Sequence, residues 1–173
     1  MKIELKNIKH SEWGSEETNC FQASIHLNGK KVGFCDNDGK GGCTNYCGIE
    51  RYCSDEIKLM EEYCKTLPPI VYDSSFGGKG FEIDMTLEHY LDNLLMDYLK
   101  DKELAKMTKK MDKAILIGNT RSYQVISFKT PLKELWEKHP KYFTKTLKES
   151  LDKYAINGNT LLNNNIPQQF LTN

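Results

Sequence analysis

The sequence predicts an α+β fold, in which an antiparallel sheet of two hairpin-containing segments is covered by about four helices. Three observations support this class. In two separate parts of the chain, apolar and polar residues alternate with the period-two pattern of strands. Each of these parts contains a short turn signal. Apolar residues at helical spacing then follow each part, which indicates helices packed on the sheet.

The first elements are strands. Apolar and charged residues alternate over residues 3–9, which predicts a strand with one exposed face. A hairpin follows over residues 18–36, because Asn28-Gly29 is the dipeptide that most strongly indicates a two-residue turn. The register of such a turn places one apolar set on the core face. This set is Phe21, Ala23, Ile25, Val32 and Phe34. Cys20 and Cys35 are then expected on the outer face.

Two helices come next. The first begins after Ser54, a good N-cap followed by acidic residues, and Pro68-Pro69 ends it. Ile70 to Tyr72 form a short strand. Thr86 then begins the longest helix, whose broad apolar stripe is expected to cover the sheet. The stripe is Leu87, Tyr90, Leu91, Leu94, Leu95, Tyr98 and Leu99.

The remaining elements repeat this order. Residues 114–128 form a second hairpin around the turn at Gly118-Asn119-Thr120. Pro131 opens a helix, because proline is tolerated at the first helical position. His139-Pro140 breaks that helix, and a last helix ends at Asn157-Gly158.

The domain prediction follows from the absence of a linker. A chain of 173 residues is long enough for one core. The sequence therefore predicts a single α+β domain over residues 1–157. The asparagine-rich residues 158–173 are expected to be a polar C-terminal tail.

The charges restrict the classes of partner. The chain has 24 basic and 24 acidic residues, and this zero net charge does not favour nonspecific nucleic-acid binding. Residues 1–84 carry 10 basic and 14 acidic side chains, and residues 85–173 carry 14 and 10. This asymmetry can orient the protein toward a charged partner. The oligomeric state stays open.

Hydropathy and cysteines bear on the compartment. No run approaches the roughly 18 apolar residues of a membrane span. The N-terminus has charges at every second position, so an export signal is not expected either. We therefore expect a cytoplasmic protein without a membrane partner. Its six cysteines should be free thiols.

Two glycine-rich loops are the candidate functional site. They lie in residues 36–46 and 74–81, and each has one lysine flanked by glycine. Glycine lets backbone N–H groups approach an anion closely, and the lysine supplies positive charge. The predicted ligand-binding residues are Gly39, Lys40, Gly41, Gly42, Asn45, Tyr46, Gly77, Gly78, Lys79, Gly80 and Trp13, the last as a stacking residue in an exposed loop.

The two loops are expected to converge on one phosphate-bearing ligand. Neither has the spacing of a Walker A motif or its hydroxyl after the lysine. The alternative is that the glycines only serve turns.

No metal, cofactor or catalytic residue is predicted. Cys43, Cys47 and Cys53 are separated by three and five residues, whereas structural zinc sites pair ligands at closer spacing. Each of the four histidines could approach a thiol in the fold, but no Cys-His pair stands out. The sequence therefore favours a binding protein over an enzyme.

Three segments resemble small bacteriophage and prophage proteins that have no assigned function. They are Ser15-Glu16-Glu17-Thr18-Asn19-Cys20-Phe21, Asn28-Gly29-Lys30-Lys31-Val32-Gly33 and Asn37-Asp38-Gly39-Lys40-Gly41-Gly42. The resemblance covers roughly the first fifty residues and provides no catalytic residues. It implies a phage accessory protein in the cytoplasm of an infected bacterium.

Such accessory proteins act mainly by binding, in host takeover or counter-defence. The two Gly-Lys loops favour sequestration of a phosphorylated nucleotide. One alternative is a protein–protein inhibitor of a host enzyme or defence complex. Another is a small enzyme that acts on a phosphorylated metabolite.

Overall fold

A computed structural model describes residues 1–49, 54–72, 80–119 and 122–171, and it has the α+β class that the sequence predicts. Internal contacts divide the chain into two compact units, Met1–Leu99 and Lys100–Asn173, where the sequence predicted one domain. The boundary falls inside a continuous helix, Leu87–Met111, so no linker marks it. Each unit has its own buried core.

The first unit is built on a four-stranded antiparallel sheet in the order β1-β2-β3-β4. Its strands are β1 (Ile3–Ser11), β2 (Cys20–Leu27), β3 (Lys30–Asn37) and β4 (Asn45–Gly48). The chain continues through α1 (Asp55–Lys65), a two-stranded sheet of β5 (Ile70–Tyr72) and β6 (Phe81–Ile83), and α2 (Leu87–Met111).

The helices of this unit form as predicted. The Ser54 hydroxyl accepts a hydrogen bond from the Ile57 N–H at 3.3 Å and so caps α1. From the predicted stripe of α2, Leu87, Leu91 and Leu95 are fully buried, at the i, i+4, i+8 spacing of one helix face. Each such leucine stabilises the fold by about 1.5–3 kcal/mol through burial.

The first hairpin is confirmed, but its predicted register was wrong beyond a β-bulge. Ile25 pairs with Gly33 instead of Val32. This extra residue reverses the faces of the rest of β3. Phe34, predicted in the core, is 43% exposed, whereas Cys35, predicted outside, is buried. The bulge places a glycine where a Cβ would collide with the Cys47 carbonyl of β4.

The second unit contains a three-stranded antiparallel sheet in the order β8-β7-β9. Its elements are β7 (Ala114–Gly118), β8 (Tyr123–Ser127), α3 (Leu132–Lys138), α4 (Pro140–Tyr154), β9 (Thr160–Leu161) and a 3-10 turn, Gln168–Phe170. The second hairpin is therefore confirmed, in a sheet separate from the first. All five residues of β7 are buried, and Phe143 and Leu147 of α4 pack in the same core.

Residues 158–171 are not a polar tail. β9 pairs with β7, and Ile166 is buried in the core. The buried Asn163 side chain accepts a hydrogen bond from the Leu116 N–H at 2.7 Å and donates one to the Ala114 carbonyl at 2.9 Å. β9 ends before it reaches these two groups of β7, and the Asn163 amide takes the place of the missing backbone partners. A polar side chain therefore extends the sheet.

Candidate functional site

The first Gly-Lys loop is held to residues 16–18 through the carbonyl group of Gly39. The Gly39 oxygen accepts hydrogen bonds from the N–H groups of Glu16, Glu17 and Thr18 at 3.0, 2.9 and 3.2 Å. Gly39 is buried with φ +84°, and a Cβ there would collide with the Gly14 carbonyl. Glycine is thus required for close backbone packing.

Three N–H groups of this loop already have acceptors. The Gly39 N–H donates to Asn37 Oδ1 at 2.8 Å, and the Lys40 N–H donates to Asp38 Oδ1 at 3.1 Å. The Gly41 N–H donates to Thr18 Oγ1 at 3.3 Å. These three amides were predicted to bind phosphate, but a ligand would first have to displace their intramolecular partners.

The predicted binding residues of the first loop line different cavities. Lys40 lines a cavity of about 510 Å³, together with Lys9 and His10. Gly41 and Gly42 line a second cavity of about 390 Å³, whose walls include carboxylates.

The two predicted residues of β4 do not line the Lys40 cavity. The Tyr46 hydroxyl faces a third cavity, of about 350 Å³, and donates to Glu61 Oε1 at 2.9 Å. Asn45 is exposed at the start of β4. The residues of the first loop therefore do not form one pocket.

The second loop is largely outside the described residues. Gly77, Gly78 and Lys79 belong to the segment 73–79, whereas Gly80 is described and lies exposed just before β6. The convergence of Lys40 and Lys79 on one ligand stays a prediction.

Trp13 is 96% exposed, which confirms the predicted exposure of this aromatic residue. Hydrogen bonds fix the backbone of the turn that carries it. The Ser15 N–H donates to the Glu12 carbonyl at 3.3 Å, and the Gly14 N–H donates to Ser11 Oγ at 3.1 Å. The Ser15 hydroxyl donates to the Ser11 carbonyl at 2.7 Å, so the turn has a defined geometry.

The carboxylates of the second cavity hold the loop on α2. Glu88 accepts a hydrogen bond from the Thr44 N–H at 3.1 Å, and Asp92 accepts one from the Thr44 hydroxyl at 2.7 Å. Burial raises the pKa of Asp92, the Thr44 hydrogen bond lowers it, and the nearby Glu88 charge raises it further. Sequence reasoning missed this pair, although their i, i+4 spacing beside Leu87 and Leu91 was a readable signal.

The environments of three cysteines disfavour a nucleophilic thiolate. Burial raises the pKa of Cys35 to about 12 and that of Cys64 to about 11. A hydrogen bond to Glu88 raises the pKa of Cys43. Because reactive thiols need a lowered pKa, these three have the character of structural residues.

Among the described residues, no group of three or more His, Cys, Asp or Glu side chains could hold a metal ion. Cys53 lies outside these residues, so the prediction that no zinc is bound stays a prediction. Within the same ranges, no helix is long and apolar enough to cross a membrane.

Comparison with protein-family models, curated proteins and solved structures finds no match to this chain. The resemblance to phage proteins therefore stays a prediction. Function has to be argued from the geometry of the chain itself.

Proposed function

We propose that this chain is a phage accessory binding protein that docks on a host protein through the Trp13 turn, residues 11–15. The observation that carries the proposal is the exposure of Trp13 on a backbone held by hydrogen bonds. The phage origin rests on the sequence resemblance of residues 15–42. Of the three functions that the sequence leaves open, this is the protein–protein inhibitor.

The exposed indole is a large source of binding free energy. A tryptophan buries about 150–250 Å² in a packed environment, which corresponds to about 4–6 kcal/mol. Trp13 realises almost none of this in the folded chain. Tryptophan is also enriched among residues that dominate protein interfaces. An apolar pocket on a partner is the environment that would recover this free energy.

The turn is suited to binding because it is ordered before the partner arrives. Ser11 and Ser15 fix its backbone, and the Cys20 N–H donates to Ser15 Oγ at 2.9 Å, which ties the turn to β2. A fixed backbone reduces the entropy lost on association. Glu12 precedes Trp13 in the turn and Glu16 follows the turn, and both are exposed, so a partner with a basic surface around its pocket complements this segment.

Nucleotide sequestration is a second candidate, in an altered form. The amides of Gly39, Lys40 and Gly41 have internal acceptors, so a phosphate would have to displace these acceptors to bind the three amides. The basic side chains of Lys9, His10 and Lys40 nevertheless line one cavity of about 510 Å³. Asp36 and Asp38 line it too and oppose an anion there.

The test is capture from a bacterial host lysate, followed by affinity measurement with the purified captured protein. Trp13→Ala should weaken binding at least about 30-fold, the effect of a hot-spot residue. Trp13→Phe keeps an aromatic ring and should lose less. Thermal unfolding of both variants should match the wild type, because the side chain is exposed.

Two results would overturn the protein-docking proposal. One is equal affinity of wild type and Trp13→Ala for the captured protein. The other is binding of a purified nucleotide that Lys40→Ala abolishes, in the absence of any captured protein. The second result would establish the nucleotide candidate instead.

A further inference from the structure

The zero net charge of the chain conceals two strongly charged units. Met1–Leu99 contains 10 basic and 17 acidic residues, a net charge of −7. Lys100–Asn173 contains 14 basic and 7 acidic residues, a net charge of +7. The argument from whole-chain charge against nucleic-acid binding therefore does not apply to the second unit, whose basic excess is typical of proteins that bind polyanions.

Much of this charge lies on one face of α2. We call this face the lysine stripe: Lys102, Lys106, Lys109, Lys110 and Lys113. The first four stand at i, i+4, i+7 and i+8, which is the spacing of one helix face. Lys113 follows in the turn, where its N–H donates to the Lys110 carbonyl at 3.1 Å and continues the last turn.

The core fixes the orientation of the stripe. Met107 and Met111 of the same helix segment are buried, whereas all five lysines are exposed. The stripe extends over about 16 Å at the rise of an α-helix. Phosphates recur about every 3.4 Å along one strand of a duplex, so this length faces several of them.

A cavity adjoins the C-terminal end of the stripe. Lys109, Lys110 and Lys113 line a space of about 460 Å³ together with Asp112 and with Val125 and Ser127 of β8. The Lys110 ammonium donates to the Tyr123 hydroxyl at 3.0 Å, which holds that side chain at the sheet. Asp112 opposes an anion here, but the three lysines outnumber this one carboxylate and leave an excess of positive charge for a phosphate-bearing chain.

The structural interactions known for three stripe lysines are of small magnitude. Lysines in the last helical turn, here Lys109 and Lys110, interact favourably with the helix dipole by about 0.3–1 kcal/mol. Lys106 pairs with Glu103 at 3.3 Å across the exposed surface. Such a pair contributes about 0.2–0.5 kcal/mol, so it does not compete strongly with a phosphate.

We infer that the lysine stripe binds the phosphate backbone of a nucleic acid, independently of sequence. This interaction is separate from docking through Trp13, because it uses the other unit and the opposite charge. The proposal predicts strong salt dependence and no preference among sequences of equal length.

The experiment measures binding of the full-length chain to a labelled DNA duplex of about 20 base pairs, from about 50 to about 200 mM salt. The wild type should bind at the low-salt end, with an affinity that falls steeply as salt rises. Replacing two stripe residues, Lys109→Gln and Lys113→Gln together, should reduce the logarithmic salt slope by about 2 and weaken binding by about 10-fold or more.

The matched control is Lys6→Gln with Lys58→Gln, two exposed lysines of the acidic unit. This pair removes the same charge and should leave the affinity for DNA unchanged within about 2-fold. Circular dichroism of all variants checks that they are folded. A second probe, phosphatidylcholine–phosphatidylserine vesicles, tests a membrane surface as the polyanion.

Three results would overturn the inference. The first is no binding of the wild type to DNA at low salt. The second is an equal loss of affinity for DNA in the stripe variant and the control variant, which would show that only the total charge of the chain matters. The third is binding to the vesicles but not to DNA.

Discussion

The two units of this chain differ in how they use their charged and polar side chains. In the first unit, carboxylates take part in internal structure: Glu88 and Asp92 both accept hydrogen bonds from Thr44. In the second, the lysine stripe lies on an exposed helix face, and a neutral amide, Asn163, completes the sheet. A net charge of zero therefore describes neither unit, and function has to be argued for each separately.

The largest expected effect concerns the core of the second unit. Phe143→Ala should lower the free energy of unfolding by about 3–5 kcal/mol, because Phe143 is fully buried against Trp136 and Phe170. Fluorescence of the half-buried Trp136 follows this unit during denaturation. The control is Phe34→Ala, an exposed phenylalanine of the first unit whose ring contacts the Lys31 ammonium, and this change should lower stability by only about 1 kcal/mol.

An equal decrease in the free energy of unfolding for Phe143→Ala and Phe34→Ala would contradict the register of β3, which places Phe34 on the exposed face. A loss of first-unit structure at the same denaturant concentration as second-unit structure would show that the two units unfold together. Separate transitions would show that the two units unfold independently of each other.

A smaller effect is expected where a side chain extends the sheet. Asn163→Ala leaves the Leu116 N–H and the Ala114 carbonyl without their partner and should cost about 2–4 kcal/mol. Asn164→Ala, at the exposed neighbouring residue, is the matched control and should be nearly neutral. Urea denaturation measures both. A neutral Asn163→Ala variant would restore the interpretation of residues 158–173 as a tail.

The smallest effect is a pH dependence in the first unit. The pKa of Asp92 is raised in the folded state, mainly by burial, so the folded chain binds this proton more tightly than the unfolded chain. Stability from this group is therefore fully present below the unfolded pKa and decreases as pH rises through the folded pKa. Asp92→Asn should remove this decrease while keeping an acceptor for the Thr44 hydroxyl.

Urea denaturation from about pH 4 to about pH 7 checks the sign. The stability of Asp92→Asn relative to wild type should increase across this range. A relative stability that falls with pH would show that the Thr44 hydrogen bond outweighs burial, and that the pKa of Asp92 is lowered instead.

Local sequence patterns predicted most of the elements. Asn28-Gly29 located the first hairpin, Ser54 located the start of α1, and the leucine spacing of α2 identified its buried face. These signals act over a few residues, so they can be read without the tertiary structure. The strands β4, β6 and β9 were not predicted, because each has four residues or fewer and is too short to show a period-two pattern.

The candidate site was less predictable. The glycines and the lysine of residues 39–42 predicted a phosphate-binding loop on the basis of composition alone. Whether an amide is available to a ligand depends on its acceptor, and Thr18, the acceptor for Gly41, lies 23 residues away. The exposure of Trp13 was predicted correctly, because its neighbours are polar and no apolar periodicity includes it.

The sequence by itself determined the α+β class, the positions of the main helices and hairpins, and the charges that each segment carries, since these depend on local periodicity and composition. The tertiary structure decided the register beyond the bulge at Val32, the role of Asn163 and the closed form of the Gly39 loop. It also decided that the opposite charges belong to two separate units. Each of these depends on contacts between residues far apart in the chain, which local patterns do not encode.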